Sequence, residues 1–472
     1  MAVFDIGDDL IQKYDSLAPR YTSYPTAPQF HSGFDAEQYK RHAQISNDCL
    51  LPKDLSIYVH IPFCHSLCYF CGCNKVVTQV NNKKVADYLD RLLSEIALRG
   101  RLFGDDRRVT QIHFGGGTPN FLSNTQLAEI LAEIATQFHL DLPNNLEIGI
   151  EIDPRAIDGA GIEELAEIGF TRFSIGVQDF SREVQQAINR EQSEAATLEA
   201  INAAMNVSPS VNVDLVTGLP KQTPDEFAET LDKVIDAGVT RIAAYNFAYM
   251  PERIKAQKMI DEKSLPTPME RLEIVKLSRK ILANANYQHI GMDHYALPGD
   301  SLAQALKNDS LQRNFQGYTT HKDTDLVGLG ASAISKFDTA FAQNATRLSE
   351  YNEMIDDKVL PVIKGLALTP DDRVRAALIQ QLMCRSSIDL SNSVGRYAET
   401  NNPDPLSRYF AHELQKLGTF IEDGLLVPKE YGFDVTEKGR YFSRQIAATF
   451  DKYLADNTLT EDGRVIRFSR TV

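Results

Sequence analysis

"SIYVHIPFCHSLCYFCGCNK" (residues 56–75) runs from a short β-branched and apolar stretch directly into a loop that carries Cys64, Cys68, Cys71 and Cys73. Residues 56–61 read as a buried strand, and the cysteine loop begins where that strand would end. Four thiols at spacing C-x3-C-x2-C-x-C suit zinc or an iron–sulfur cluster. A disulfide framework does not fit, because 6 cysteines in 472 residues is sparse. The start "MAVFDIGDDLIQ" also has acids where a signal peptide would carry a basic and then an apolar region. Reduced thiols and a cytoplasmic location are expected.

Working outward from this loop, apolar runs alternate with amphipathic stretches, the pattern of βα units around a parallel sheet. Strands are expected at 56–61, 109–114, 146–152, 172–177, 211–216 and 241–247, with a weaker candidate at 287–292. Helical patterns lie between them, such as "VADYLDRLLSEIALRG" and "NTQLAEILAEIATQF", the latter with Ser123 or Asn124 as cap. At the C-terminal ends of these strands stand the cysteine loop, "GGGTP" (115–119), Glu151, Gln178, Asp214 and Ala248. In parallel βα barrels that rim is the catalytic face. The expected fold is therefore α/β, a partial parallel (β/α)6 barrel over residues 56–365. Residues 1–55 carry "PRYTSYPTAPQF", which has no period and reads as an irregular arm. Such an arm adds little core, so deleting residues 1–30 is expected to leave the barrel folded. Residues 366–472 read as a mostly helical C-terminal domain with a small hairpin in "GLLVPKEYGFDVTE", of winged-helix type.

With 49 Lys plus Arg against 64 Asp plus Glu, the formal charge is -15. That is the reverse of a nucleic-acid binder, and no apolar run approaches the ~20 residues of a membrane-spanning helix. An anionic substrate would need a local pocket of Arg or Lys against this global field. On spacing alone, a cluster and a zinc ion held by Cys64, Cys68, Cys71 and either Cys73 or His65 stand about even. Glu151 points by strand alternation toward the barrel interior, where a carboxylate needs a partner.

The cysteine loop followed by "HFGGGTPNFL" resembles the radical S-adenosylmethionine (SAM) enzymes, in which C-x3-C-x2-C holds a 4Fe-4S cluster. The further stretches "PRYTSYPTA", "EIDPR", "SIGVQDF", "INREQ", "NVDLVTGLPKQT", "GMDHYA" and "RNFQGYTTHKDTDLVGLGASAIS", together with Cys73, are similar to the oxygen-independent coproporphyrinogen III oxidase family. The resemblance implies a radical SAM barrel and oxidative decarboxylation of two propionates of coproporphyrinogen III to vinyl groups, giving protoporphyrinogen IX. It also implies a monomer that needs an electron donor.

Residue by residue, the resemblance makes Cys64, Cys68 and Cys71 the cluster ligands, with one iron left for SAM. Tyr58, Phe70, Glu151, Ile334 and the backbone of Gly115, Gly116, Gly117 and Thr118 would hold the first SAM. Gln178, Arg190, Asp214 and Ala248 would hold a second, with Phe70, Gly117 and Thr118 shared nearby. Arg20, Tyr21, Arg313 and Phe315 are candidate substrate contacts. Rival readings are a haem chaperone-like radical SAM protein, which would lack Cys73's position and the "RYTSYPT" arm, and a zinc-stabilised barrel.

Overall fold

A computed structural model of the chain describes residues 7–14, 16–141, 145–391, 405–454 and 468. Its contacts divide the chain into two compact units that do not follow sequence order. One comprises His31–Glu270 and Asp323–Ala367, the other Met1–Phe30, Arg271–Lys322 and Leu368–Val472. Among the described residues no helix is long and apolar enough to cross a membrane.

In the first unit all six expected strands form: β1 (Leu55–Ile61), β2 (Arg108–Gly116), β3 (Glu147–Ile152), β4 (Arg172–Gln178), β5 (Val211–Thr217) and β6 (Arg241–Asn246). They pair in sequence order, each parallel to the next. This is the winding that βα units impose, because a parallel neighbour needs a crossover connection. The linking helices start where their caps dictate. Asn82 accepts from Lys84 N at the head of Lys83–Gly100, and Ser123 with Gln126 forms a reciprocal capping box before Asn124–Gln137. Thr223 accepts from Glu226 N, with Pro224 opening Pro224–Asp236.

The sheet goes beyond the expected six strands. On the other side of β1, β7 (Asp325–Leu329) pairs in parallel, and β8 (Ile334–Phe337), β9 (Ala340–Asn344) and β10 (Val362–Ala367) follow antiparallel. Short, glycine-interrupted runs such as "DLVGLGASAIS" carry no strand alternation to read, and β7 is buried along its whole length. The turn after β7 is pinned by a fully buried ion pair, Arg99 Nε to Glu95 Oε1 at 2.8 Å. Glu95 Oε2 accepts from Gly330 N and from the Tyr351 hydroxyl, each at 2.7 Å.

The second unit contains the helix Pro370–Arg385, the helix Ala411–Glu422 and the expected hairpin, Leu426–Lys429 with Gly432–Val435. A third strand, Ser387–Asp389, pairs with Gly432–Val435. The weaker candidate near 287–292 is a strand at Gln288–Gly291, paired antiparallel with His294–Ala296. The N-terminal segment departs from an irregular arm. It forms the helix Asp8–Tyr14, and beyond Phe30 the helix Ala36–Asn47. Leu10, Ile11, Tyr14, Tyr21 and Tyr24 are buried in one core with Leu378, Leu417, Phe420 and Phe442. Segment 7–30 is thus part of the helical unit's interior, because its tyrosines and leucines repeat too irregularly to show a face until the C-terminal helices supply one.

Candidate active site

The strand ends converge. Cys64, Cys68, Cys71 and Cys73 line a cavity of about 170 Å³ with Gly116, Gly117, Thr118, Glu151, Gln178, Arg190 and Asp214. The cysteine loop is held by backbone bonds on both flanks: Val76 N donates to Pro62 O, Thr78 N to Cys64 O and Tyr69 N to Ile188 O. Asn189 Nδ2 donates to Leu67 O at 2.8 Å, and Phe70 packs on Val184, Ile188, Val216 and Leu219.

The glycine turn is required by packing as much as by any ligand. A Cβ on Gly117 would lie 2.8 Å from Phe63 O, and one on Gly116, at φ +120°, would lie 2.6 Å from the His60 ring. Gly115 sits between Tyr58 and Glu151, each within 2.9 Å of where its Cβ would stand. The Tyr58 hydroxyl lies 3.2 Å from His60 Nδ1. Glu151 Oε2 accepts from Gly116 N at 3.1 Å. Gln178 ends β4 at φ +68°, and a Cβ on Gly176 would meet both Gln178 Nε2 and Arg190 Nη2. Asp214 accepts from Ser174 Oγ at 2.8 Å and Asn212 Nδ2 at 2.9 Å. Burial, reinforced by the Glu151 charge, raises its carboxyl to about 6.

The thiols differ in their surroundings. Burial pushes Cys64 up to about 11, partly offset by the Thr118 hydroxyl at 3.6 Å. The hydrogen bond with Cys73 and the Lys75 charge bring Cys71 down from the usual thiol range. Among the described residues no three His, Cys, Asp or Glu groups converge on one metal ion. The three spaced thiols surround a cavity instead, with carboxylates of Glu151 and Asp214 on its walls. This donor set fits an iron–sulfur cluster, which soft thiolates would hold, with a SAM beside it.

Of the remaining expected residues, Ala248 O accepts from Gln257 Nε2 at 3.0 Å, and the same Nε2 donates to Phe70 O at 3.1 Å. Gln257 therefore ties strand six's end to the cysteine loop, a role no sequence motif marks. Ile334 opens β8 opposite Gln343. Asp153 and Arg155 also line the cavity; within "EIDPR" the sequence singles out Glu151 as a site residue, while the rest of the stretch enters only through the family resemblance. Arg20, Tyr21, Arg313 and Phe315 lie in the second unit. Arg20 is ion-paired with Asp293, and the Tyr21 hydroxyl donates to Asp451 at 3.0 Å. Phe315 stands in the turn between strands Gln312–Asn314 and Gly317–Thr319.

A barrel of parallel strands with thiols and a glycine turn at one rim defines a class, and residues 58–234 match the radical SAM superfamily model. The chain is 44% identical to oxygen-independent coproporphyrinogen III oxidase of Pseudomonas aeruginosa, covering 97% of this chain and 98% of that one. It is 42% identical to the Salmonella typhimurium protein of the same name, over 98% of each. The solved structure of coproporphyrinogen III oxidase from Escherichia coli, described as a radical SAM enzyme, matches with TM-score 0.88 at 40% identity, covering 96% of this chain and 100% of that one. The chain belongs to the oxygen-independent coproporphyrinogen III oxidase family.

Proposed function

We propose that this protein, as a cytoplasmic monomer, converts two propionate side chains of coproporphyrinogen III to vinyl groups without oxygen. Cys64, Cys68 and Cys71 would hold a 4Fe-4S cluster, and two SAM molecules would bind beside it. The observation that carries this reading is the sharing of one cavity by the three thiols, the glycine turn, Glu151 and Asp214. When bound, the cluster would supply the electron that breaks a SAM S–C bond; the resulting radical would remove a propionate β-hydrogen, and loss of carbon dioxide with transfer of one electron to a one-electron acceptor would leave the vinyl group. Glu151 has Oε2 on Gly116 N and Oε1 3.5 Å from His113 Nε2, and its remaining lone pairs would take a ribose hydroxyl or an ammonium. Asp214, ionised above about pH 6, offers a second such acceptor. Arg190 keeps a buried Nε without a partner, which suits a SAM carboxylate.

The direct test is anaerobic incubation with SAM, coproporphyrinogen III and dithionite. One carbon dioxide and one 5'-deoxyadenosine should appear for each propionate converted, and dialysis should recover two SAM per chain. A protein with full iron and sulfide that forms no vinyl product would sink the proposal, and one SAM per chain would leave a single site.

For the anionic substrate, Arg313 stands out from the other candidates. It is 4% exposed, its guanidinium carbon lies 4.7 Å from the centre of the Tyr318 ring, and its Nε and Nη1 have no hydrogen-bond partner among the described residues. A buried cation with idle donors is costly until an anion meets it. A propionate would do so, at roughly 1.5–3 kcal/mol per charge-assisted bond. Arg313→Met is therefore expected to raise the substrate KM by about 10- to 100-fold with iron content unchanged. An unaltered KM would remove Arg313 from the substrate site.

A further inference from the structure

Just past β3, Arg155 points back along its own chain. Its Nε donates to Asp153 Oδ1 at 2.9 Å and its Nη2 to Asp153 Oδ2 at 2.7 Å, the two-pronged geometry that locks a guanidinium plane. Pro154 stands between them and disfavours the helical region for Asp153, and the pair closes over this single intervening residue. Arg155 Nη1 then lies 3.2 Å from Ser66 Oγ, and Nη2 lies 3.9 Å from Cys68 Sγ.

The same carboxylate holds a second guanidinium. Arg190 Nη1 is 3.3 Å from Asp153 Oδ2 and 3.7 Å from Cys68 Sγ, while Arg190 Nη2 donates to Gly176 O at 2.7 Å. Burial alone would raise the Asp153 carboxyl, but the Arg190 charge and the Arg155 hydrogen bonds carry it down to about 2. One anion thus presents two fixed cations to one sulfur. Cys64 Sγ instead takes a neutral hydroxyl, from Thr118 at 3.6 Å, with the Lys75 charge a lesser influence. Arg155 also lines a second, larger cavity of about 780 Å³ with Asn120, Asp158 and Gln192. It forms the partition between that cavity and the thiols.

We propose that Arg155, held by Asp153, is a positioning residue that sets the reduction potential of the cluster through the Cys68 sulfur. This rests on the cluster assignment made above. Reduction transfers one electron from an external one-electron donor to the cluster, with no proton, and spreads the added negative charge over the thiolate sulfurs. A guanidinium fixed against one of those sulfurs stabilises the reduced form more than the oxidised form, which raises the potential. The arginine therefore eases the uptake of an electron that the reaction must have before SAM is cleaved.

The test uses the full chain, reconstituted anaerobically, with dithionite as reductant and electron paramagnetic resonance to follow the reduced cluster. Arg155→Gln removes the charge, and Arg155→Lys keeps it while losing the fork. Iron and sulfide at full content in the parent protein establish the cluster separately from this inference. Arg155→Gln should then keep its iron but show a midpoint about 59 mV lower, a tenfold shift of the one-electron equilibrium. Arg155→Lys should stay within half of that shift from the parent. An unchanged midpoint in Arg155→Gln would overturn the proposal, as would equal lowering in both variants. Should Arg155→Gln fail to hold iron, Arg155→Lys decides alone: a midpoint near the parent's supports the assignment, and a full tenfold shift overturns it.

Discussion

Replacing Cys64, Cys68 or Cys71 by serine is expected to abolish the brown iron–sulfur absorption and all SAM cleavage. The thiolate is the metal ligand, and a serine hydroxyl at these positions is a hard, neutral donor that does not replace it. The loop is pinned at Tyr69, Val76 and Thr78, which fixes where the thiols stand on the cavity wall. Cys49 and Cys384 provide the controls. Cys49 is exposed, just past the helix Ala36–Asn47, and donates to Ile45 O at 3.4 Å. Cys384 is buried in the second unit beside Gln380. Serine at either should leave iron and sulfide at the parent level. Parent-level iron and sulfide in any of the three loop variants would remove that residue from the ligand set.

Deleting residues 7–30 is expected to unfold the unit built from Arg271–Lys322 and Leu368–Val472, an effect that an irregular arm adding little core would not have. Five large side chains leave its core. Each contributes about 1.5–3 kcal/mol by burial, so their combined loss is comparable to the ~5–15 kcal/mol that holds a whole domain folded. Tyr14 shows the reason most clearly. Its ring stacks on Phe420 at 4.8 Å and its hydroxyl donates to Asp423, while Gln445 Nε2 donates to its carbonyl at 2.5 Å. Tyr14→Ala alone should cost about 3–5 kcal/mol, as truncation of a buried aromatic does. Urea unfolding and limited proteolysis read both effects. A truncated protein with the parent's unfolding midpoint and intact C-terminal helices would return the segment to a tether.

The strands of the first unit were legible because each is a continuous apolar run, and the parallel order follows from the helices between them. The thiol spacing and the glycine turn were legible for a similar reason: their chemistry is carried by residue type at short separation, which needs no partner to interpret. Glu151, Gln178, Asp214 and Ala248 could be placed on one rim because strand ends are readable positions.

What pairs with what was settled only in three dimensions. Nothing in "EIDPR" says that Asp153 will hold both Arg155 and Arg190 against Cys68, because Arg190 arrives from a different strand end. Gln257, which joins Phe70 to Ala248, stands in a stretch with no motif. Arg20, a candidate substrate contact in sequence, is paired with Asp293, more than 270 positions away. The N-terminal segment has no period of its own because its apolar residues answer to the surface of helices near the other end of the chain. Local periodicity reports local structure, whereas a buried polar or aromatic group takes whichever partner the fold brings to it, and that choice depends on contacts that only the folded chain makes.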